Sequence, residues 1–322
     1  MQLREDVLRE ACARFGATRE RPLGGSEAAL YEVERGGRRH MLRFSSIPEG
    51  EKQRFIAVWE FVELIAKSGV RVAAPVESDR GLKIEWITGA DETSWAVVCV
   101  PWIRGETLNP GALAQNDPAV LQAWGAVMGK MHSAVKDKPK DSRFRDWETE
   151  AESMRSLCRD ADVRSRWDAM IGSLEALEMN RDTYGLVHND LHYANVLVAG
   201  TEVSVVDFDV CNYHFFASDI AIAMQAVLWT EPAGVARDRE RWRFVFGNFM
   251  RGYRQENAIS PECERTIPLF LAYRRLLLFS VFSTEWRDAS GWEKARLEVW
   301  RKGILNNVAI VPPDWAAMPI EN

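Results

Sequence analysis

Three oxygen-bearing side chains are spaced as a metal-assisted transfer reaction would need them. Asp190 and Asn195 share one polar loop, five positions apart, and Asp207 returns twelve positions after Asn195. The flanking residues give the reason they could meet. Leu186-Val187 is a short apolar strand, His188 to Asn195 a polar loop, and Val196-Leu197-Val198 a second apolar strand. Ala199-Gly200-Thr201 is a turn, and Val203 to Val206 is a third strand that delivers Asp207-Phe208-Asp209. Antiparallel pairing of the last two strands predicts that Asn195 and Asp207 lie close together. Two carboxylates and a carboxamide are hard oxygen donors, which suit Mg2+ bound to substrate phosphates. Phosphoryl transfer needs such a set: a carboxylate to orient and deprotonate the attacking hydroxyl, and metal ligands to neutralise the phosphates.

His188-x-Asp190-x4-Asn195 followed by Asp207-Phe208-Asp209 resembles the aminoglycoside phosphotransferase and choline kinase superfamily, the small-molecule relatives of protein kinases. The resemblance implies that Asp190 is the catalytic base and that Asn195 and Asp207 are magnesium ligands. It makes His188 a structural residue packed beneath the metal-binding acid. One position departs from the pattern: the family usually has Gly before the base, and this chain has Asn189.

The elements that must position these groups begin with a helix over residues 3–15, whose Leu3, Val7, Leu8, Ala11 and Phe15 share one face. Tyr31 and Val33 alternate with charged residues as in a half-exposed strand, Gly36-Gly37 is a hairpin turn, and Arg38 to Phe44 is the next strand. Gly24, Gly25 and Ser26 precede the first of these strands. By themselves they read as a hairpin turn; by the resemblance they are the phosphate-covering loop. Arg43, in Met41-Leu42-Arg43-Phe44, stands where the resemblance places a phosphate-binding basic residue, and Arg can clamp two phosphate oxygens at once. Residues 51–68 form a helix. The family's acidic partner for the basic residue falls near Val58, with Glu60 and Glu63 the nearest acids, so the ion pair uses Glu60 or is absent. Leu82 to Ile87 and Trp95 to Val100 complete a five-stranded antiparallel sheet. The run Val98 to Glu106 resembles the family's hinge, where adenine would meet the Pro101 carbonyl and the Ile103 N–H; a proline there loses a donor and keeps its carbonyl.

The second half is helical. Residues 118–135 end in Gly129-Lys130-Met131-His132, with His132 structural, and 147–179 form one or two amphipathic helices where relatives insert substrate-facing ones. Asp219 opens an apolar helix, as its cap or, by the resemblance, also as a brace behind the catalytic loop. Helices over 238–256, 261–286 and 291–308 follow. Glu285, Trp286 and Asp288 make a helix end that faces solvent or an amine-bearing substrate.

Together with the resemblance, these elements imply an α+β, bilobal, protein-kinase-like fold: a nucleotide-covering lobe over 1–101, with the five-stranded sheet plus a helix, and a mostly helical catalytic and acceptor-binding lobe over 102–322. With 322 residues and 47% hydrophobic content the chain can bury a large core. A formal net charge of −6 gives no reason to expect a nucleic-acid partner. The five cysteines are scattered and never in CxxC spacing, which suits a reducing cytoplasm, and the run Leu269 to Phe282 is too short to span a membrane. The expected reaction moves the γ-phosphoryl of ATP, with Mg2+, to a hydroxyl of a small molecule: an aminoglycoside-like antibiotic, an amino alcohol or a sugar. The alternatives are a Ser/Thr protein kinase of the same superfamily and a nucleotide-binding pseudokinase.

Overall fold

Residue alternation along one strand decides the layout of the first half of the chain. The computed structural model describes residues 3–24, 28–231, 235–286 and 291–312. The chain separates into two units, Met1–Arg104 and Gly105–Asn322. The first contains helix α1 (Glu5–Arg14), strands β1 (Ala17–Gly24), β2 (Ala29–Arg35) and β3 (Arg38–Ser45), helix α2 (Lys52–Lys67), a short strand β4 (Arg71–Val72), and strands β5 (Ile84–Thr88) and β6 (Ser94–Pro101). The sheet order is β1-β2-β3-β6-β5, antiparallel throughout. Gly36 and Gly37, with φ of 56° and 72°, close the β2–β3 hairpin with the left-handed turn that matches strand twist. Leu42 and Phe44 of β3 share a face with Val97, Cys99 and Ile87, and this face packs on Val7 and Ala11 of α1 and on Phe15 at its end. Arg43 pairs with Val98 in register, so both belong to the opposite face. That face also carries Trp86, whose ring meets Phe55 of α2 edge-on at 6.2 Å.

The second unit contains β7 (Glu106–Thr107), α3 (Pro118–Val135), α4 (Trp147–Leu157), α5 (Ala161–Glu175), β8 (Tyr184–Val187), β9 (Val196–Ala199), β10 (Glu202–Val205), β11 (Asn212–Phe215), α6 (Phe216–Trp229), α7 (Arg239–Glu256), α8 (Pro261–Glu264), α9 (Ile267–Glu285) and α10 (Trp292–Leu305). Aspartates start several helices: Asp117, Asp146, Asp160 and Asp238 each accept a backbone N–H of the first turn of α3, α4, α5 and α7. Helices α3 and α7 lie unusually close. A Cβ on Gly125 would sit 1.8 Å from the Phe249 carbonyl oxygen, and one on Gly252 1.8 Å from that of Gln122. Only glycine fits at these two positions, and the seam they allow buries Trp124 against Phe249, ring centroids 5.4 Å apart.

The result is the α+β arrangement that the sequence pattern predicts, with a five-stranded antiparallel sheet plus helix in the first unit and a mostly helical second. Strand β11 was not expected. It pairs antiparallel with β8, Asn212 opposite Val187, and so ties the segment after Asp209 to the strand that enters the Asp190 loop. The segment Pro261–Glu285 is long and apolar enough to cross a membrane, but 56% of its most apolar stretch is buried within the protein. It carries Arg274 and Arg275 and serves as a core helix of the second unit.

Candidate active site

The loop between β8 and β9 carries Asp190, and its shape is set from beneath. Asn189 has φ +65°, in the left-handed region that glycine adopts freely and asparagine tolerates better than most residues. This accounts for the departure from the family's glycine: the conformation is kept and the side chain gains partners. Asn189 Nδ2 donates to Glu150 Oε2 at 2.5 Å and to the Val210 carbonyl at 3.4 Å, while its backbone N–H donates to Asp219 Oδ1 at 2.9 Å. Asp219 is fully buried, and its other oxygen lies 3.2 Å from His132 Nε2. It braces the Asp190 loop and does not cap α6, whose N-cap is Phe215, without a side-chain bond. His188 accepts the Asp190 N–H at Nδ1 (3.3 Å), so Nε2 carries the hydrogen and donates to the Val206 carbonyl at 3.1 Å. Its ring packs on Phe208 at 4.6 Å. His188 thus joins the Asp190 loop to the residues on both sides of Asp207.

The β9–β10 hairpin brings the second acid back. Val205 pairs with Val196, and one step further the Val206 N–H donates to the Asn195 carbonyl at 3.1 Å. Asp207 is the next residue, exposed, with φ +66°. A non-glycine residue in that region is held there by its surroundings, and such positions concentrate at functional sites. Asn195 is 9% exposed, and its Nδ2 donates to the Asp190 carbonyl (2.9 Å) and to Asp190 Oδ2 (3.2 Å). With the amide nitrogen turned to Asp190, the amide oxygen is the atom that can face a cation. Among the described residues no group of three His, Cys, Asp or Glu side chains can hold a metal ion. The donors fit an ion that takes one carboxylate and one amide oxygen from the protein and the rest from phosphates and water, as Mg2+ does.

Asp190 itself is held by three donors. Arg274 Nη2 lies 2.5 Å from Oδ1, Asn195 Nδ2 bonds Oδ2, and His192 Nε2 lies 3.4 Å from Oδ2. The tautomer of His192 follows from its other nitrogen: Nδ1 accepts the Ala194 N–H at 3.0 Å, so Nε2 is a donor. Burial pushes the Asp190 pKa up. The hydrogen bond from His192 and the charge of Arg274 outweigh it and bring the pKa down to about 2. The carboxyl is therefore ionised throughout the neutral range.

Sequence reasoning missed three residues here. Arg274 stood out only as an interruption of an apolar run, and a charge inside an apolar helix was the available signal. Glu150 and Asn212 gave none. Glu150 accepts Asn189 and Asn212 Nδ2 (3.1 Å) on one oxygen and the Tyr273 hydroxyl (2.7 Å) on the other, tying α4, β11 and α9 to the Asp190 loop.

The remaining candidates lie in the first unit. Arg43 is half-buried on the α2-facing side of the sheet, with Nε 3.2 Å from Ser45 Oγ. Of the two acids considered for it, Glu63 forms an ion pair with Lys83, and Glu60 is exposed on α2. Gly24 ends β1 with φ +87° and open space where a Cβ would be. Gly25 and Ser26 lie outside the described residues, as does Asp288. Pro101 faces His40 at a position that needs no donor towards β3, because the bond is made one residue on, from Trp102 N–H to the Arg39 carbonyl at 3.1 Å. The Pro101 carbonyl consequently points away from β3. Ile103 follows in the same exit segment.

In the second unit a cavity of about 630 Å3 opens beside α5, α9 and residues 307–311, lined by Arg166, Met170, Arg275 and Ile310 among others and by none of Asp190, Asn195 or Asp207. Arg166 and Arg275 donate there to main-chain carbonyls of Leu305, Gly303 and Val308, so these arginines cap the end of α10.

Known proteins share this architecture. Amicoumacin kinase of Bacillus subtilis (strain 168) is 26% identical over 325 residues, which cover 98% of this chain and 96% of that one. Homoserine kinase of Neisseria meningitidis serogroup B is 30% identical over 237 residues, covering 68% and 71%. Among solved structures, amicoumacin kinase hAmiN in complex with AMP-PNP, Ca2+ and Ami superposes with a TM-score of 0.86 at 27% identity, covering 99% of this chain and 98% of that one. A microcompartment-associated aminopropanol kinase superposes at 0.71 with 20% identity, covering 93% and 95%. The profile of the phosphotransferase enzyme family matches residues 18–258. The chain has a kinase-like fold and belongs to the phosphotransferase enzyme family as a kinase with an alcohol group as acceptor.

Proposed function

We propose that the protein transfers the γ-phosphoryl group of ATP, with Mg2+, to a hydroxyl of a small amine-bearing molecule, with an amicoumacin-like antibiotic the first choice of acceptor. The observation that carries this is the placement of Asn195 beside Asp190 and of Asp207 one residue past Asn195's ladder partner. The similarity to amicoumacin kinases along nearly the whole chain supports the acceptor class. The AMP-PNP and Ca2+ bound by one of them support a nucleotide and an oxygen-coordinated divalent cation. A cytoplasmic location, where ATP is plentiful, fits the five free cysteines.

In this reaction the acceptor oxygen bonds to the γ-phosphorus as the bond from phosphorus to the β,γ-bridging oxygen breaks. The hydroxyl proton passes to Asp190, and ADP leaves. An Asp190 carboxylate of low basicity is suited to orienting the hydroxyl and to taking its proton late, once the phosphorus–oxygen bond has drawn charge from the acceptor. Asn195 and Asp207 would hold the metal, which would neutralise phosphate charge. In the first unit, Arg43 steadies the phosphates, Gly24, Gly25 and Ser26 cover them, and the Pro101 carbonyl and Ile103 N–H meet the adenine.

The test is ADP release from Mg-ATP with amicoumacin, aminopropanol, homoserine, spectinomycin and a generic protein substrate, using Asp190→Asn as the blank. Turnover with one small alcohol that vanishes in the blank supports the assignment. Transfer to the protein substrate alone would replace it with a protein kinase, and turnover that survives in Asp190→Asn would remove it.

A further inference from the structure

We propose that Arg274 is the positioning residue of the transfer site, fixing the Asp190 carboxylate in the orientation that receives the acceptor hydroxyl. The inference rests on the function proposed above and adds a residue to it. Arg274 lies on α9, whose neighbouring side chains are mostly apolar, and keeps 13% of its side-chain surface exposed. Among the described residues its one hydrogen bond runs from Nη2 to Asp190 Oδ1, at 2.5 Å, and its Nε is buried without a partner. The guanidinium is therefore aimed at this carboxylate.

The opposite oxygen is held differently. Asn195 and His192 approach Oδ2 at 3.2 and 3.4 Å, but both belong to the same loop as Asp190 and move with it. Arg274 comes from 84 residues away in the chain. It stands on a helix of 19 residues that is tied down around it. The Tyr273 hydroxyl donates to Glu150 at 2.7 Å, Ser280 Oγ accepts Trp167 Nε1 at 3.2 Å, and Arg275 donates to Val308 O at 3.0 Å. A carboxylate gripped on one oxygen by its own loop and on the other by a fixed helix cannot rotate about Cβ–Cγ without breaking a charge-assisted bond. Such rigid support is what holds a reacting group in productive geometry, and about 1 Å of misplacement can cost on the order of 100-fold in rate.

The test compares wild type with Arg274→Ala, Arg274→Lys and Asp190→Asn, using whichever acceptor gives turnover. The expected result for Arg274→Ala is a fall in kcat of roughly 10- to 100-fold with KM for Mg-ATP and acceptor nearly unchanged. Added guanidinium should restore part of that rate, and Arg274→Lys should retain more of it. Unchanged kcat would overturn the proposal, as would a loss confined to KM or one that guanidinium and lysine both fail to relieve. A crystal structure of Arg274→Ala gives a readout that needs no acceptor. An Asp190 carboxylate rotated out of its bond with Asn195 supports the proposal, and one within about 0.5 Å of its present place overturns it. The Asp190→Asn variant keeps the two ideas apart, because full turnover there removes the kinase reading whatever Arg274 does.

Discussion

Replacing Asp190 by alanine should remove two things at once, and the structure separates their sizes. The first is catalysis. A positioned base contributes roughly 100- to 10,000-fold, so kcat should fall by about 1000-fold, equivalent to roughly 4 kcal/mol in the barrier. The second is stability. Alanine would leave the Arg274 guanidinium, 13% exposed, without the charge-assisted bond it makes to Asp190. Breaking a fully buried pair by removing one partner costs about 3–5 kcal/mol; with Asp190 keeping 27% of its side-chain surface open, roughly 2–3 kcal/mol is expected. For a protein of this size that lowers Tm by about 3–5 °C. The double variant Asp190→Ala/Arg274→Leu should recover most of the lost Tm and none of the lost kcat, because it removes the stranded charge and leaves the base absent. Thermal melts and ADP-release assays on wild type, both single variants and the double variant close the cycle. A double variant no more stable than Asp190→Ala would refute the stranded-charge reasoning, and more than a tenth of wild-type kcat in Asp190→Ala would refute the role of the base.

Asp207→Ala should weaken Mg-ATP binding by 10-fold or more while leaving metal-free nucleotide binding nearly unchanged; equal affinities with and without Mg2+, measured by calorimetry, would place the metal elsewhere. Gly252→Ala forces its Cβ to within 1.8 Å of the Gln122 carbonyl oxygen, so α3 and α7 must separate at a cost of about 2–4 kcal/mol. A Tm within 2 °C of wild type, about 1 kcal/mol, would show that the seam yields freely. Buried His214 is held neutral: burial lowers its pKa from 6.5 to about 4, against the opposing charges of Glu150 and Asp219. Its folded pKa lies below its unfolded one, so its contribution is intact above pH 6.5 and is lost as pH falls from there towards 4, by up to about 3 kcal/mol. The decline in stability between pH 7 and pH 4.5 should therefore be shallower in His214→Gln than in wild type, and parallel declines would exclude His214 as its source.

Local pattern made much of this protein legible. Leu42 and Phe44 alternate with Arg43, so β3 and the face taken by the arginine could be read from period-two burial. The apolar strands around Gly200-Thr201 predicted the hairpin that returns Asp207 to Asn195. The Asp190, Asn195 and Asp207 spacing survives translation into sequence because one loop and one hairpin carry all three. The partners of Asp190 were less visible. Arg274 and Glu150 reach the loop from helices far away in the chain, and no periodicity records which distant helix faces a given carboxylate. Likewise β11 has a register only because β8 lies beside it, and Asp219, placed where a helix cap would serve, is turned instead to the loop backbone and His132.

The sequence by itself determined which atoms are available for the chemistry and which short segments bear them. Hydrogen-bonded turns and strand alternation act over a few residues and leave their mark in composition. Only the tertiary structure decided how those atoms are held: the left-handed backbone at Asn189 secured by Glu150, and the Asp190 carboxylate clamped by Arg274. The physical reason is desolvation. A buried charge or amide must find its complement wherever packing brings one, and packing is settled by the whole core, including close approaches such as Gly125 on Phe249, rather than by neighbours in the chain.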